Sequence, residues 1–216
     1  MNYNISAFLS FSVGIAVIIS LVRFKQIAPA FRPFLFLLWL GLVNETTSHV
    51  LISTNHSNAV NTNIFLLLEA LLLLWFFKLQ RVFDRNPRLP WILALLYLAA
   101  WTYENFWISS LTKFNSYFCV AAAFIAVLCS IHLINRLLLT GSGRLMRNPL
   151  FILTIAFIIY YTYSVLVETF WIYGINESKE FRIKVYHILV YINCGTNLIY
   201  ALAVLWMPAK QKFTLL

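Results

Sequence analysis

The chain has 216 residues, of which 62% are hydrophobic and only 11% charged. A water-soluble domain carries about a quarter charged residues, so this composition excludes an ordinary soluble domain and points to a polytopic membrane protein. The net charge of +9 is compatible in principle with a nucleic-acid partner. The basic residues, however, sit in short loops between apolar runs, the pattern of cytoplasmic anchors, so no nucleic acid is expected.

A membrane-crossing helix needs about 20 predominantly apolar residues. In chain order the apolar runs predict spans over Ile5–Phe24, Pro29–Ile52, Asn61–Phe83, Leu89–Ser109, Ser116–Leu138, Pro149–Gly174 and Phe181–Met207. The punctuation between them agrees: Ala28-Pro29, the turn from Asp84 to Pro90, Gly141-Ser142-Gly143, Asn148-Pro149, and Pro208 after the last run. Met1-Asn2-Tyr3-Asn4 carries no positive segment, so the first run is expected to stay in place as a span and not to be a cleaved leader. The fold expected is an all-α integral membrane protein. It is a single seven-transmembrane-helix bundle over residues 1–216, with no soluble domain.

Lysine and arginine set the expected orientation. Arg23, Lys25, Arg32, Lys78, Arg81, Arg85, Arg88, Arg136, Arg144, Arg147, Lys210 and Lys212 fall on one side. Lys113, Lys179, Arg182 and Lys184 fall on the other. Twelve against four places the N-terminus outside and the C-terminus in the cytoplasm, which requires an odd number of spans. Trp75, Trp91, Trp107, Trp171 and Trp206 near the ends of runs fit interfacial anchoring in a lipid bilayer. The short loops point to a bacterial inner (plasma) membrane. The sequons at Asn4, Asn55 and Asn176 are read as accidents of an asparagine-rich chain.

The sequence concentrates its polar chemistry at one depth. Ionisable residues inside a span are costly and face protein or water. At 1.5 Å per residue, Glu45, Glu69, Glu104, Glu168 and His187 all lie roughly 7–12 Å below the outer surface. On the second span, Gly41, Asn44, Glu45, Ser48 and His49 fall on one helical face, and Glu45 and His49 are one turn apart. The third span brings Asn61, Phe65 and Glu69. The fourth brings Tyr97, Trp101 and Glu104; the sixth, Tyr160, Tyr161, Ser164, Glu168 and Trp171; the seventh, His187, Tyr191, Cys194 and Asn197. A polar patch with aromatic walls is what an orienting small-ligand site requires. The expected ligand-binding residues are therefore Asn44, Glu45, Ser48, His49, Glu69, Trp101, Glu104, Tyr161, Ser164, Glu168, His187 and Tyr191. Serine, asparagine and tyrosine in spans also act as glue between helices at under about 1–2 kcal/mol each. It is the recurrence of four glutamates and two histidines at one level that favours a site.

Four carboxylates in a pocket of low dielectric must share protons or hold something cationic. Lys184, one turn from His187, is one internal partner. A divalent metal held by Glu45, His49, Glu69 and His187 is a second, since zinc and manganese accept such oxygen and nitrogen ligands. A protonated organic ligand is the third, with Trp101, Trp171, Tyr161 and Tyr191 offering cation–π contact. Glu45 and His49 are expected to titrate as a coupled pair. No lysine sits in the middle of the last span, so no retinal is expected, and Gly141-Ser142-Gly143 reads as a turn and not as a phosphate loop. Cys119, Cys129 and Cys194 lie within spans and form no disulfide framework. The function expected is a receptor-like sensor of a small, cationic ligand or metal, acting through a separate cytoplasmic or membrane signalling partner. A small-solute or proton-coupled transporter is the alternative, and a membrane-embedded metal-dependent hydrolase the third; no catalytic residue is assigned.

Overall fold

Proline sets several of the helix starts. It has no backbone N–H and a fixed φ, so it fits the first turn of a helix and disrupts later ones. The computed structural model describes residues 3–140, 145–173 and 179–208. Its helices are α1 (Tyr3–Ser10), α2 (Val13–Arg23), α3 (Arg32–Ser53), α4 (Ala59–Leu79), α5 (Leu89–Tyr103), α6 (Ser116–Thr140), α7 (Pro149–Tyr173) and α8 (Lys179–Trp206). Pro33, Pro90 and Pro149 all sit in first turns. Short 3₁₀ turns at Pro29–Phe31 and Leu145–Arg147 lead into α3 and α7. Among the described residues there is no β-strand. The expected turn Gly141-Ser142-Gly143, Arg144, Gly174, the sequon at Asn176, Lys210 and Lys212 lie outside the described residues.

Six helical stretches are long and apolar enough to cross a membrane: Ile5–Arg23, Pro29–Ser53, Ala59–Leu79, Ser116–Leu139, Pro149–Tyr173 and Lys184–Trp206. The run expected as the fourth span is different. It is α-helical for 15 residues only, to Tyr103, and continues as a π-helical turn over Glu104–Ile108. Fifteen residues rise about 22 Å, less than the ~30 Å hydrocarbon core.

The first stretch is also broken. Between α1 and α2, Ser12 N–H bonds Leu9 O at 3.1 Å and Gly14 N–H bonds Phe11 O at 2.9 Å, one residue tighter than an α-helix. Asn197 of α8 meets the break, donating its side-chain N–H to Ser12 Oγ at 3.0 Å.

The long helices close a ring. Following the contacts, α2 packs on α3, α3 on α4, α4 on α6, α6 on α7, α7 on α8, and α8 returns to α1 and α2. The short α5 packs mainly on α4, with a smaller contact to α6. At one end of the ring, arginines satisfy the last carbonyls of helices. Arg23 donates to Val204 O at 2.6 Å, to Met207 O at 3.2 Å and to Leu205 O. Arg136 donates to Arg81 O at 2.6 Å and to Gln80 O, just beyond the end of α4. Cations there also meet the negative end of the helix dipole. Inside this arginine-bearing end, Phe34, Phe76, Phe77, Phe157 and Tyr200 form an aromatic cluster with ring centroids 5.2–6.1 Å apart. The four phenylalanines are fully buried. Such pairs add to the burial of their area through edge-to-face geometry.

Candidate functional site

Two cavities lie inside the ring, on either side of one hydrogen bond. Tyr161 of α7 donates its hydroxyl to Glu69 Oε1 of α4 at 2.7 Å. Glu69, Tyr160 and Tyr161 line both cavities. The first has a volume of about 40 Å³ and is walled by α4, α5, α6 and α7, with Tyr97, Cys119, Ser164 and a row of alanines on α6. The second has a volume of about 80 Å³ and is walled by α1, α2, α3, α4, α7 and α8. A water needs about 10–15 Å³ on this measure. These chambers therefore suit a few waters or a very small solute, not a drug-sized ligand of about 300 Å³ or more.

The second cavity holds the chemistry. Glu45 and Glu69 both line it, with Ser10, Asn193, Asn197 and Tyr200. The Ser10 side chain is hydrogen-bonded to Glu45. No lysine, arginine or histidine is among its lining residues. The kink between α1 and α2 sits on this wall, since Ser10 precedes it and Val13 follows it. Towards the arginine-bearing end the floor is the aromatic cluster: Tyr200 belongs to both, and Phe157 packs on Tyr161 with centroids 6.1 Å apart.

The structure divides the expected layer into three groups. Glu45, Glu69, Tyr161 and Ser164 reach the cavities. Asn44 and Ser48, predicted on the same face as Glu45, turn instead to α4. Asn61 Nδ2 donates to Asn44 Oδ1 at 2.8 Å and to Ser48 Oγ at 3.0 Å, which makes them a clamp between helices. His49 lies edge-on to Phe11 at 5.9 Å between centroids. One predicted stripe thus serves the cavity, α4 and the first span.

Glu104 and Glu168 form the second group, at the start of α6. Glu104 is buried and accepts N–H bonds from Tyr117 at 3.1 Å and Phe118 at 2.6 Å. Its carboxylate thereby satisfies two donors of the first turn and meets the positive end of the dipole. Glu168 is hydrogen-bonded by the Ser116 side chain and lies within electrostatic reach of Glu104. Trp101 is committed nearby, donating its indole N–H to Asn63 O at 2.8 Å. His187 and Tyr191 make the third group. They line neither cavity, and Tyr191 is 57% exposed. Trp171 is exposed as well.

The metal set expected from Glu45, His49, Glu69 and His187 is not assembled. Among the described residues no three histidine, cysteine, aspartate or glutamate side chains converge as metal ligands would. The physical reason is rotation of the helices: residues expected at one depth point to different neighbours.

The sequence reading left Ser10, Asn193, Tyr200 and Cys119 out of the site. A signal existed in the last helix, where Asn193, Asn197 and Tyr200 recur at i, i+4 and i+7. The stripe chosen there ran through His187, Tyr191 and Cys194 and shares only Asn197 with the observed face. Comparison with protein-family models, with curated proteins and with solved structures finds no match.

Proposed function

We propose that this chain is a seven-span receptor of a bacterial inner membrane, with the N-terminus outside and the C-terminus in the cytoplasm. It takes a small cationic ligand between Glu45 and Glu69 and passes its state to a separate signalling partner. The observation that carries the reading is the composition of the 80 Å³ cavity: two carboxylates and no basic side chain. Two half-buried acids on the wall of one cavity inside a helix ring favour a proton or a cation beside them. In this reading α5 and its π-helical turn complete the fourth crossing, and the twelve-to-four distribution of lysine and arginine supports the orientation.

The aromatic floor favours a receptor over a transporter, because a through-path has to cross it. It also offers a route for the signal. Glu69 holds Tyr161, Tyr161 packs on Phe157, and Phe157 packs on Phe34, Phe76, Phe77 and Tyr200, rings drawn from α3, α4, α7 and α8. A ligand that competes for Glu69 shifts the first ring of that set. The extension of the first cavity along α4 as far as Phe77 is what favours the transporter as a second reading. Two measurements test the proposal. A fluorescent reporter fused after Leu216 should be active in the cytoplasm, and an alkaline phosphatase fused there should be inactive; the opposite pattern ends the topology. Reconstituted vesicles should show no flux of a small cation above empty vesicles; flux lost in Glu69→Gln makes the protein a transporter.

A further inference from the structure

We propose that the turn between α4 and α5 binds an anionic phospholipid, with the phosphodiester headgroup at Lys78, Arg85 and Arg88 and an acyl chain along the exposed face of α5. The inference needs the bundle in a bilayer and is independent of the cavities. Charge comes first. Residues 78–91 carry four basic side chains and one acidic one, Asp84. Arg23 and Arg136, at the same end of the ring, are committed to helix-end carbonyls. Arg85 and Arg88 are exposed, and among the described residues neither side chain has a hydrogen bond or an ion pair. A guanidinium so placed offers its fork to a phosphate in bidentate geometry.

Geometry gathers these groups. Arg88 follows Arg85 by three residues, so their Cα atoms lie within about 11 Å. The turns that carry them are closed by Asn86 N–H on Phe83 O at 2.9 Å and by Leu89 N–H on Asn86 O at 3.0 Å. The Trp91 amide donates to Arg88 O at 3.1 Å, and Lys78 Nζ lies 4.3 Å from the centroid of the Trp91 ring. Lys78, Arg88 and Trp91 therefore meet at the start of α5. That helix has no acidic residue in its first turn and no side-chain cap, so the positive end of its dipole adds to the cations. In α6, by contrast, Glu104 covers the first turn. Next to the cations the surface is apolar. Trp91, Leu95 and Leu98 recur at i, i+4 and i+7 on α5 and are 64%, 68% and 44% exposed. This ridge meets lipid once the bundle is in a bilayer. A cation cluster at the end of an exposed apolar ridge is complementary to a lipid, which carries its charge and its chains in that order. A soluble phosphate has no use for the ridge.

The test uses the full chain in phosphatidylcholine vesicles doped with phosphatidylglycerol, or with phosphatidylcholine, carrying a photoactivatable diazirine on an acyl chain. Crosslinks are mapped by mass spectrometry on α5 and, as an internal reference, on the exposed face of α2 at Ile15, Ile18 and Val22. The expected result is α5 labelling about threefold or more higher with phosphatidylglycerol than with phosphatidylcholine, and α2 labelled equally by the two. Arg85→Gln combined with Arg88→Gln should bring the α5 labelling down to the phosphatidylcholine level. If that pair fails to fold, Lys78→Gln takes its place and should lower the labelling in the same direction. Lys25→Gln combined with Arg147→Gln, at exposed positions on the same end, should leave it unchanged. Equal labelling of α5 by the two lipids overturns the proposal. So does an equal loss in the Lys25 and Arg147 variant, which makes the preference a property of the whole basic end. Removal of the preference by inorganic phosphate at constant ionic strength makes a soluble phosphate the ligand and overturns the lipid.

Discussion

Tyr161→Phe removes one hydroxyl and leaves the ring, so it isolates the bond that separates the two cavities. Tyr161 is 5% exposed and its hydroxyl lies 2.7 Å from Glu69 Oε1. A hydrogen bond to a charged group contributes about 1.5–3 kcal/mol in soluble proteins. Inside membranes, side-chain bonds between helices measure about 0.6 kcal/mol on average and about 1.7 at most, because the unfolded helices find other partners. A short, buried bond to a carboxyl belongs at the top of that range, so the expected coupling is about 1–1.5 kcal/mol. The assay is a double-mutant cycle of Tyr161→Phe with Glu69→Leu, scored by reversible unfolding in mixed micelles. Leucine is used because glutamine keeps an acceptor. A coupling under about 0.3 kcal/mol, the level of ordinary additivity, would refute the bond as a structural link between α4 and α7.

Three further outcomes follow from the helix ends. Arg23→Gln removes the fork onto Val204, Leu205 and Met207 carbonyls and should cost about 1–3 kcal/mol, with Arg23→Lys recovering only part of it in the same unfolding assay. Glu104→Ala uncaps α6 and should cost about 1–2 kcal/mol; hydrogen exchange at the Tyr117 and Phe118 amides should rise about tenfold per ~1.4 kcal/mol. Arg81 ends α4 in the left-handed region at φ 61°, with Val82 N–H closing back on Phe77 O at 3.1 Å. Glycine adopts that conformation without steric cost, so Arg81→Gly should raise stability by about 0.5 kcal/mol, and a loss would contradict the backbone geometry.

Helix positions were legible because their signals are local. Apolar runs of span length and prolines at Pro33, Pro90 and Pro149 mark where helices begin, and these depend on neighbours in sequence alone. The facing of each helix was not legible. Glu45 and Glu104 lie at similar expected depth, yet one lines a cavity and the other caps α6. That choice depends on how each helix rotates against its neighbours, and a stripe of mixed apolar and aromatic residues leaves rotation weakly specified. Asn44, Glu45 and His49 show the same limit within one helix, as adjacent sectors of a single predicted face meet three different partners. The break between α1 and α2 was illegible for another reason. Its polar partner, Asn197, stands 185 residues away, and the serines and glycine around the break permit it without requiring it. The end of α5 at Tyr103 belongs to the same class, because Glu104 turns to serve another helix.

In the proposed receptor, Glu45 and Glu69 serve one occupant. The most direct measurement is labelling of the two carboxyls with a hydrophobic carbodiimide, quantified at each residue by mass spectrometry while a non-nucleophilic cation, sodium, is titrated against choline at constant ionic strength. Both glutamates should be protected with the same midpoint, and Glu69→Gln should move the midpoint for Glu45 at least tenfold higher. Protection of each residue at its own concentration, or labelling of Glu45 that ignores the loss of Glu69, would contradict a shared site.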